Sequence, residues 1–221
     1  MAEKIYDRDI REPLFDFLES KYGKVRILEE KRTGRARADV VMVTDSLIYG
    51  IEIKSDADTY TRLARQVENY NRYYDRNYVV VGTHRAMHIT EHVPDFWGII
   101  TVEAKSLEGD EDGDGLDFYV LREPSVNPLL DPSKKLTILW RPELAHIQQM
   151  NRLYKYAGKS KEFVRDYILK SVPSEILDKE VTDELFERDY NKIFDTINEY
   201  RKAHGNRPRT HHRNRKRKYK G

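Results

Sequence analysis

The chain has 221 residues, of which 35% are charged, and it carries 15 Tyr, 7 Phe and 2 Trp; this is enough apolar area for one core with a smaller extension, and it excludes disorder over most of the length. The absence of Cys excludes disulfides, thiolate metal sites and a Cys nucleophile, and no signal-peptide pattern or membrane-length apolar run is present, so a cytoplasmic place and no membrane partner are expected. The net charge of +2 hides an asymmetry, because ten of the 40 Lys and Arg fall in residues 201–221, where there is no acid, and the body is acidic by eight charges; a basic tail on an acidic body points to nucleic acid or another polyanion.

In chain order, the first predicted element is a helix from about Asp9 to Tyr22. Asp9 serves as cap, Glu12 closes a capping box, Pro13 sits in the first turn and Gly23 is the stop. Ile10, Leu14, Phe17 and Leu18 form its apolar face. A short strand over Lys24–Glu29 leads into a basic loop, Lys31 to Arg37. Strands at about 38–43 and 48–54 follow as a hairpin across Thr44-Asp45-Ser46, both apolar enough to be central to a sheet.

From Thr59 to Tyr74 the period becomes helical, with Leu63, Val67, Tyr70 and Tyr74 on one face. A strand at Tyr78–Gly82 then implies parallel pairing across the crossover. A short helix or turn at His88–Val93 precedes a strand at Gly98–Val102. Residues 108–115 form an acidic loop before an edge strand from Leu116 to Leu121; its Asp spacing resembles the start of an EF-hand, but Leu121 stands where the closing carboxylate belongs. Beyond Pro128 the pattern is helical. One helix runs from Pro142 to about Ala157, with Leu144, Ile147 and Tyr154 inward. A second, capped by Ser160, runs from Lys161 to Ser171, and a third from about Thr182 to Ala203. From Gly205 onward there is almost nothing apolar to bury, and disorder is expected there in the unbound chain.

Asp39, Glu52 and Lys54 stand out within this frame. Antiparallel pairing of the hairpin brings Asp39 towards Glu52, and Glu52 and Lys54, two apart in a strand, share a face. Three charges on strands otherwise apolar on both faces are costly to desolvate unless something compensates them. Carboxylates are the ligands Mg²⁺ prefers, and the Ile53 backbone carbonyl is a further oxygen ligand. An ammonium beside such an ion orients a water or offsets charge growing on a phosphate. The plain alternative is a buried hairpin with an ordinary ion pair.

The order of elements, the acid-bearing strand and Tyr49-Gly50-Ile51-Glu52-Ile53-Lys54-Ser55-Asp56 resemble the PD-(D/E)XK nuclease superfamily, close to phage and bacterial nucleases of the RecB-like, restriction-endonuclease-like type. The resemblance covers residues 8–103 well and 136–188, with Leu139-Trp140, loosely. It implies an α/β restriction-endonuclease-like core, a mixed sheet flanked by helices, with Asp39 and Glu52 as Mg²⁺ ligands, Mn²⁺ as substitute and Lys54 as the catalytic lysine. Gln66-Val67-Glu68-Asn69-Tyr70 is similar to the Gln-Xaa-Xaa-Xaa-Tyr motif of RecB-like members, which adds Gln66 and Tyr70; the bland reading is that Tyr70 packs in the core. For the family's first-helix acid the first candidate is Glu12, ahead of Asp16 and Glu19, though Glu12 also serves the capping box. Ala38 replaces the Pro before the first acid.

Arg35 and Arg37 before Asp39, and Arg62 and Arg65 on the following helix, are candidates for contacts to a DNA backbone. In the tail, Arg213, Arg215, Lys216, Arg217 and Lys218 are candidates for non-specific phosphate binding. His84 and His88 have helical spacing but no acid partner, and surface histidines are the simpler reading. No phosphate-binding Gly-Lys loop, dinucleotide glycine cluster or Ser elbow occurs, so no nucleotide cofactor is expected. The expected organisation is a nuclease core over residues 1–125, a helical extension over 126–204 and a basic tail over 205–221. The expected activity is Mg²⁺-dependent hydrolysis of DNA, with a catalytically inactive binding or assembly protein as the alternative.

Overall fold

The structure, a computed structural model, describes residues 5–33, 36–55, 58–105, 115–156, 158–188, 199 and 202, with the side chains of 30–33, 36, 37 and 84 excepted. The chain divides into two units, residues 1–186 and 187–221. Few residues of the second are described; the sheet and the helices that cover it belong to the first.

Helix α1 (Asp7–Tyr22) is followed by strands β1 (Arg26–Thr33), β2 (Ala36–Val43) and β3 (Ile48–Lys54). A 3₁₀ turn opens α2 (Leu63–Tyr73), which leads to β4 (Arg76–Gly82), the short α3 (Ala86–Ile89), β5 (Gly98–Ala104) and β6 (Leu116–Arg122). Four helices complete the unit: α4 (Pro132–Lys135), α5 (Arg141–Met150), α6 (Lys161–Ser171) and α7 (Ser174–Phe186). The six strands form one mixed sheet in sequence order, antiparallel except for the parallel pairs β3 with β4 and β4 with β5. The expected α/β class, mixed sheet and parallel crossover are therefore present.

Alternation along the strands builds a core on each face. Val40, Met42, Ile51, Ile53 and Val80 pack with Ile10, Leu14 and Leu18 of α1. Val41, Val43, Val79 and Val81 on the other face join Leu63, Val67, Tyr70 and Tyr74 of α2 and residues of α5, α6 and α7. Every residue of β3 is buried, as its apolar run predicts.

One glycine governs how α2 sits on the sheet. At Gly50 a Cβ would stand 2.2 Å from Tyr74 Cδ2 and 2.7 Å from Tyr70 Cδ1, so only a bare backbone lets these rings lie over β3. The same C-terminal end of α2 is also tied down by polar bonds. The Asn127 amide donates to the Asn71 and Tyr74 carbonyls at 2.8 and 2.7 Å, and Trp97 Nε1 donates to Asn71 Oδ1 at 2.7 Å. Just beyond, buried Lys135 donates to Asp75 Oδ1 and Asp178 Oδ1, each at 2.7 Å, while Asp75 Oδ2 accepts from the Ile48 N–H at 2.8 Å. This ammonium joins α4 and α7 to the sheet.

Several boundaries differ from expectation for local reasons. Helix α1 begins at Asp7, so Asp9 is no cap; its carboxylate accepts from the Tyr6 N–H at 3.1 Å, Pro13 lies inside the helix and Glu12 has no capping role. Within the basic stretch, residues 31–33 and 36–37 extend β1 and β2, with Lys31 paired to Ala38 and Thr33 to Ala36. Helix α5 stops at Met150 rather than near Ala157, because Arg152 turns to φ 56°, and Tyr154 beyond it is exposed rather than inward. Helix α7 begins eight residues before the predicted Thr182. The acidic stretch 106–114 lies outside the described residues.

Replacing Gly50 with Ala forces the Tyr70 and Tyr74 rings off the sheet, and overpacking of this kind costs about 1–3 kcal/mol. Urea denaturation of Gly50→Ala against wild type measures it; unchanged stability would contradict the close packing of α2 on β3.

Candidate functional site

Pairing of β2 with β3 ends at Val40 opposite Ile51. Beyond that point the Tyr70 side chain of α2 takes the place of the ladder. Its hydroxyl accepts from the Asp39 N–H at 3.1 Å, lies 3.3 Å from the Ile51 carbonyl and 2.8 Å from Glu52 Oε2. With one proton to donate, its shorter contact is with the carboxylate. The Ile53 N–H, also turned to this gap, donates to Asp39 Oδ2 at 3.0 Å. The N–H and C=O of a strand residue point the same way, so the Ile53 carbonyl faces the gap too.

Glu52 is fully buried and surrounded by donors. Lys54 Nζ donates to its Oε1 at 2.5 Å and to Gln66 Oε1 at 3.0 Å, and the Gln66 amide donates to the same Glu52 oxygen. Asp39, Glu52, Lys54, Gln66 and Tyr70, all expected from the sequence, are thus joined in one network. Gln66 and Tyr70, one turn apart on α2, are both recruited to Glu52, so Tyr70 is at once a core residue and a site residue.

Burial dominates the electrostatics. It pushes the Glu52 carboxyl up to about 7, with the Asp39 charge acting the same way and Lys54 against it. Burial also raises Asp39, opposed chiefly by the Ile53 N–H. The Tyr70 hydroxyl is raised well above its ordinary value by burial and then by the Glu52 charge, so it remains a donor.

Two residues near the site were not read from the sequence. Arg11 of α1 donates to the Asp39 carbonyl at 3.2 Å, and its guanidinium lies 3.9 Å from Asp39 Oδ1. Asp7 holds Arg11 Nε at 2.9 Å. The spacing of Asp7 and Arg11 marks an ordinary helical pair; only the packing of α1 beneath β2 reveals the third partner. Glu12, by contrast, is exposed, and among the described residues no group of three His, Asp or Glu side chains converges as a metal site.

The edge of the site is held by Asp58, whose Oδ2 accepts from Ser55 N and Oγ at 2.9 and 2.7 Å, directly after Lys54. Arg62 and Arg65 are exposed at the start of α2. Arg35 lies outside the described residues, as do Arg213, Arg215, Lys216, Arg217 and Lys218; of Arg37 only the backbone, in β2, is described. His88 is exposed, and the His84 side chain lies outside the described residues.

Chemically, Asp39, Glu52 and the Ile53 carbonyl are a set of hard oxygen donors of the kind Mg²⁺ or Mn²⁺ takes, and two acids so close are better tolerated with a cation between them. Among the described residues, no helix is long and apolar enough to cross a membrane.

A family model described as bacteriophage P4 protein cII matches residues 1–209, and the chain belongs to that family. No curated protein matches the chain, and no solved structure does.

Glu52 makes stability depend on pH. Its value in the fold, about 7, exceeds the ordinary 4.5, so between these limits the native state binds more protons than the unfolded state. Stability therefore falls as pH rises through that window, by roughly 3 kcal/mol in all. Relative to Glu52→Gln, wild type in EDTA should lose stability between pH 4.5 and 7; parallel urea-denaturation curves for the two across that range would refute the assignment.

Proposed function

We propose that this member of the phage P4 cII family is a metal-dependent nuclease with a PD-(D/E)XK, restriction-endonuclease-like core, hydrolysing DNA phosphodiester bonds by attack of water. The observation that carries the reading is the convergence of Asp39, Glu52, Lys54, Gln66 and Tyr70 where β2 and β3 part. An isolated buried ion pair would not call for two acids, a lysine and two further polar side chains at the same opening.

In this reading Asp39 and Glu52 hold Mg²⁺ or Mn²⁺, with the Ile53 carbonyl available beside them. When bound, such an ion supplies a Lewis acid and an activated water. Lys54 brings a positive charge to the phosphate and orients the water, while Gln66 keeps the ammonium and the Glu52 carboxylate in register. Tyr70 fixes the other Glu52 oxygen. Arg62 and Arg65, exposed at the start of α2, contact the DNA backbone, and the ten cations of residues 201–221 add affinity that falls with salt.

One observation favours a second reading, a catalytically inactive binding or assembly protein of the same fold. Both Glu52 oxygens are already engaged by the chain's own donors, and no third acid joins the pair among the described residues.

Incubation with linear and circular DNA separates the two. Cleavage that needs Mg²⁺, stops in EDTA and drops at least about a hundredfold in Asp39→Ala and Lys54→Ala is expected for the nuclease. Equal inertness of wild type and both variants with several divalent ions, with DNA binding retained, would establish the binding protein instead.

A further inference from the structure

We propose that Arg11 is a brake on cation loading: a positioning residue whose fixed charge, shared between Asp39 and Asp7, lowers the affinity of the Asp39 and Glu52 site for a divalent ion. The proposal rests on the metal-site reading above.

The geometry supports it from three sides. Arg11 NH1 donates to the Asp39 carbonyl at 3.2 Å and NH2 lies 3.9 Å from Asp39 Oδ1, the carboxylate oxygen that does not accept from Ile53. A guanidinium keeps its charge at every working pH, so an ion approaching that oxygen meets a positive charge already in place. Asp7 Oδ2 at 2.9 Å and Glu29 Oε2 at 3.8 Å draw Arg11 the other way, which leaves Asp39 only partly neutralised. The Arg11 and Asp39 side chains are 15% and 18% exposed, so their interaction is neither fully screened by water nor sealed in the core.

Orientation and charge can be told apart here. Asp39 keeps two anchors that do not involve Arg11: the Ile53 N–H on Oδ2 at 3.0 Å and the Tyr70 hydroxyl on its own N–H at 3.1 Å. Loss of Arg11 therefore removes the competing charge while the carboxylate stays oriented. Loss of the Asp7 charge has the opposite effect, because it shifts Arg11 towards Asp39, with the more distant Glu29 still opposing.

Mn²⁺ titration by calorimetry at fixed pH and low salt tests this on wild type, Arg11→Met, Arg11→Lys, Asp7→Asn and Asp39→Asn, with circular dichroism checking the fold. Expected are binding about fivefold tighter in Arg11→Met, about threefold weaker in Asp7→Asn and near wild type in Arg11→Lys. A purely structural pair would move Arg11→Met and Asp7→Asn in the same direction. Mn²⁺ binding that is lost in Asp39→Asn but unchanged or weaker in Arg11→Met overturns the brake alone. Should Arg11→Met not fold, unchanged or tighter binding in Asp7→Asn overturns it equally. Wild type that binds no Mn²⁺, or binding that survives Asp39→Asn, overturns the metal site and the brake together.

Discussion

The arrangement depends on one hydroxyl standing where a sheet would otherwise continue. Tyr70 reaches from α2 into the gap beyond Val40 and Ile51 and takes up backbone groups that strand pairing would have satisfied. Were the ladder continued, the Asp39 N–H would have no need of a side chain. By substituting for the ladder, the phenol opens a gap between two central strands in which the Asp39 and Ile53 N–H groups still find acceptors. Gly50 makes this possible from below, since it alone lets the rings of α2 approach β3 so closely.

The two carboxylates beside the gap have unlike surroundings. Glu52 is fully buried, held by an ammonium, an amide and a phenol, and raised to about 7. Asp39 is partly exposed, held by a backbone N–H and faced by a guanidinium. Environments that differ in this way divide tasks between similar groups: one carboxyl is a fixed interior point, the other the open side of the pair. Lys54 bonds to the first and acts on the second through space, where Arg11 adds a further positive charge.

Much of this was legible in the sequence because it rests on short-range periodicity. The apolar run of β3, the common face of Glu52 and Lys54, and the stripe of Leu63, Val67, Tyr70 and Tyr74 follow from the periods of strand and helix. What could not be read depends on contacts between distant segments. Arg11 meets Asp39 only because α1 packs beneath β2, 28 residues apart along the chain. The early start of α1 reflects Asp9 bonding back to Tyr6, which makes an apparent cap an N3 residue. Helix α5 ends at Met150, two residues before a left-handed Arg152, a conformation that nothing in its neighbours' pattern demands. Choosing between a metal site and an ordinary ion pair lay beyond periodicity altogether; the sequence named Lys54, Gln66 and Tyr70, but that all three bond to the Glu52 carboxylate is a matter of packing.

Lys135 has a consequence for how this molecule can be divided. Its ammonium is buried between Asp75, at the start of β4, and Asp178 of α7, and Asp75 in turn holds the Ile48 N–H at the start of β3. A chain cut after the last strand would leave Asp75, buried at the foot of the central strand β4, without its ammonium, which the interior tolerates poorly. The α-helical segment is therefore the counter-ion carrier of the strands as well as their cover. Exchange of segments between homologues would have to move Asp75, Lys135 and Asp178 as a set, and the natural seam for a graft lies beyond α7.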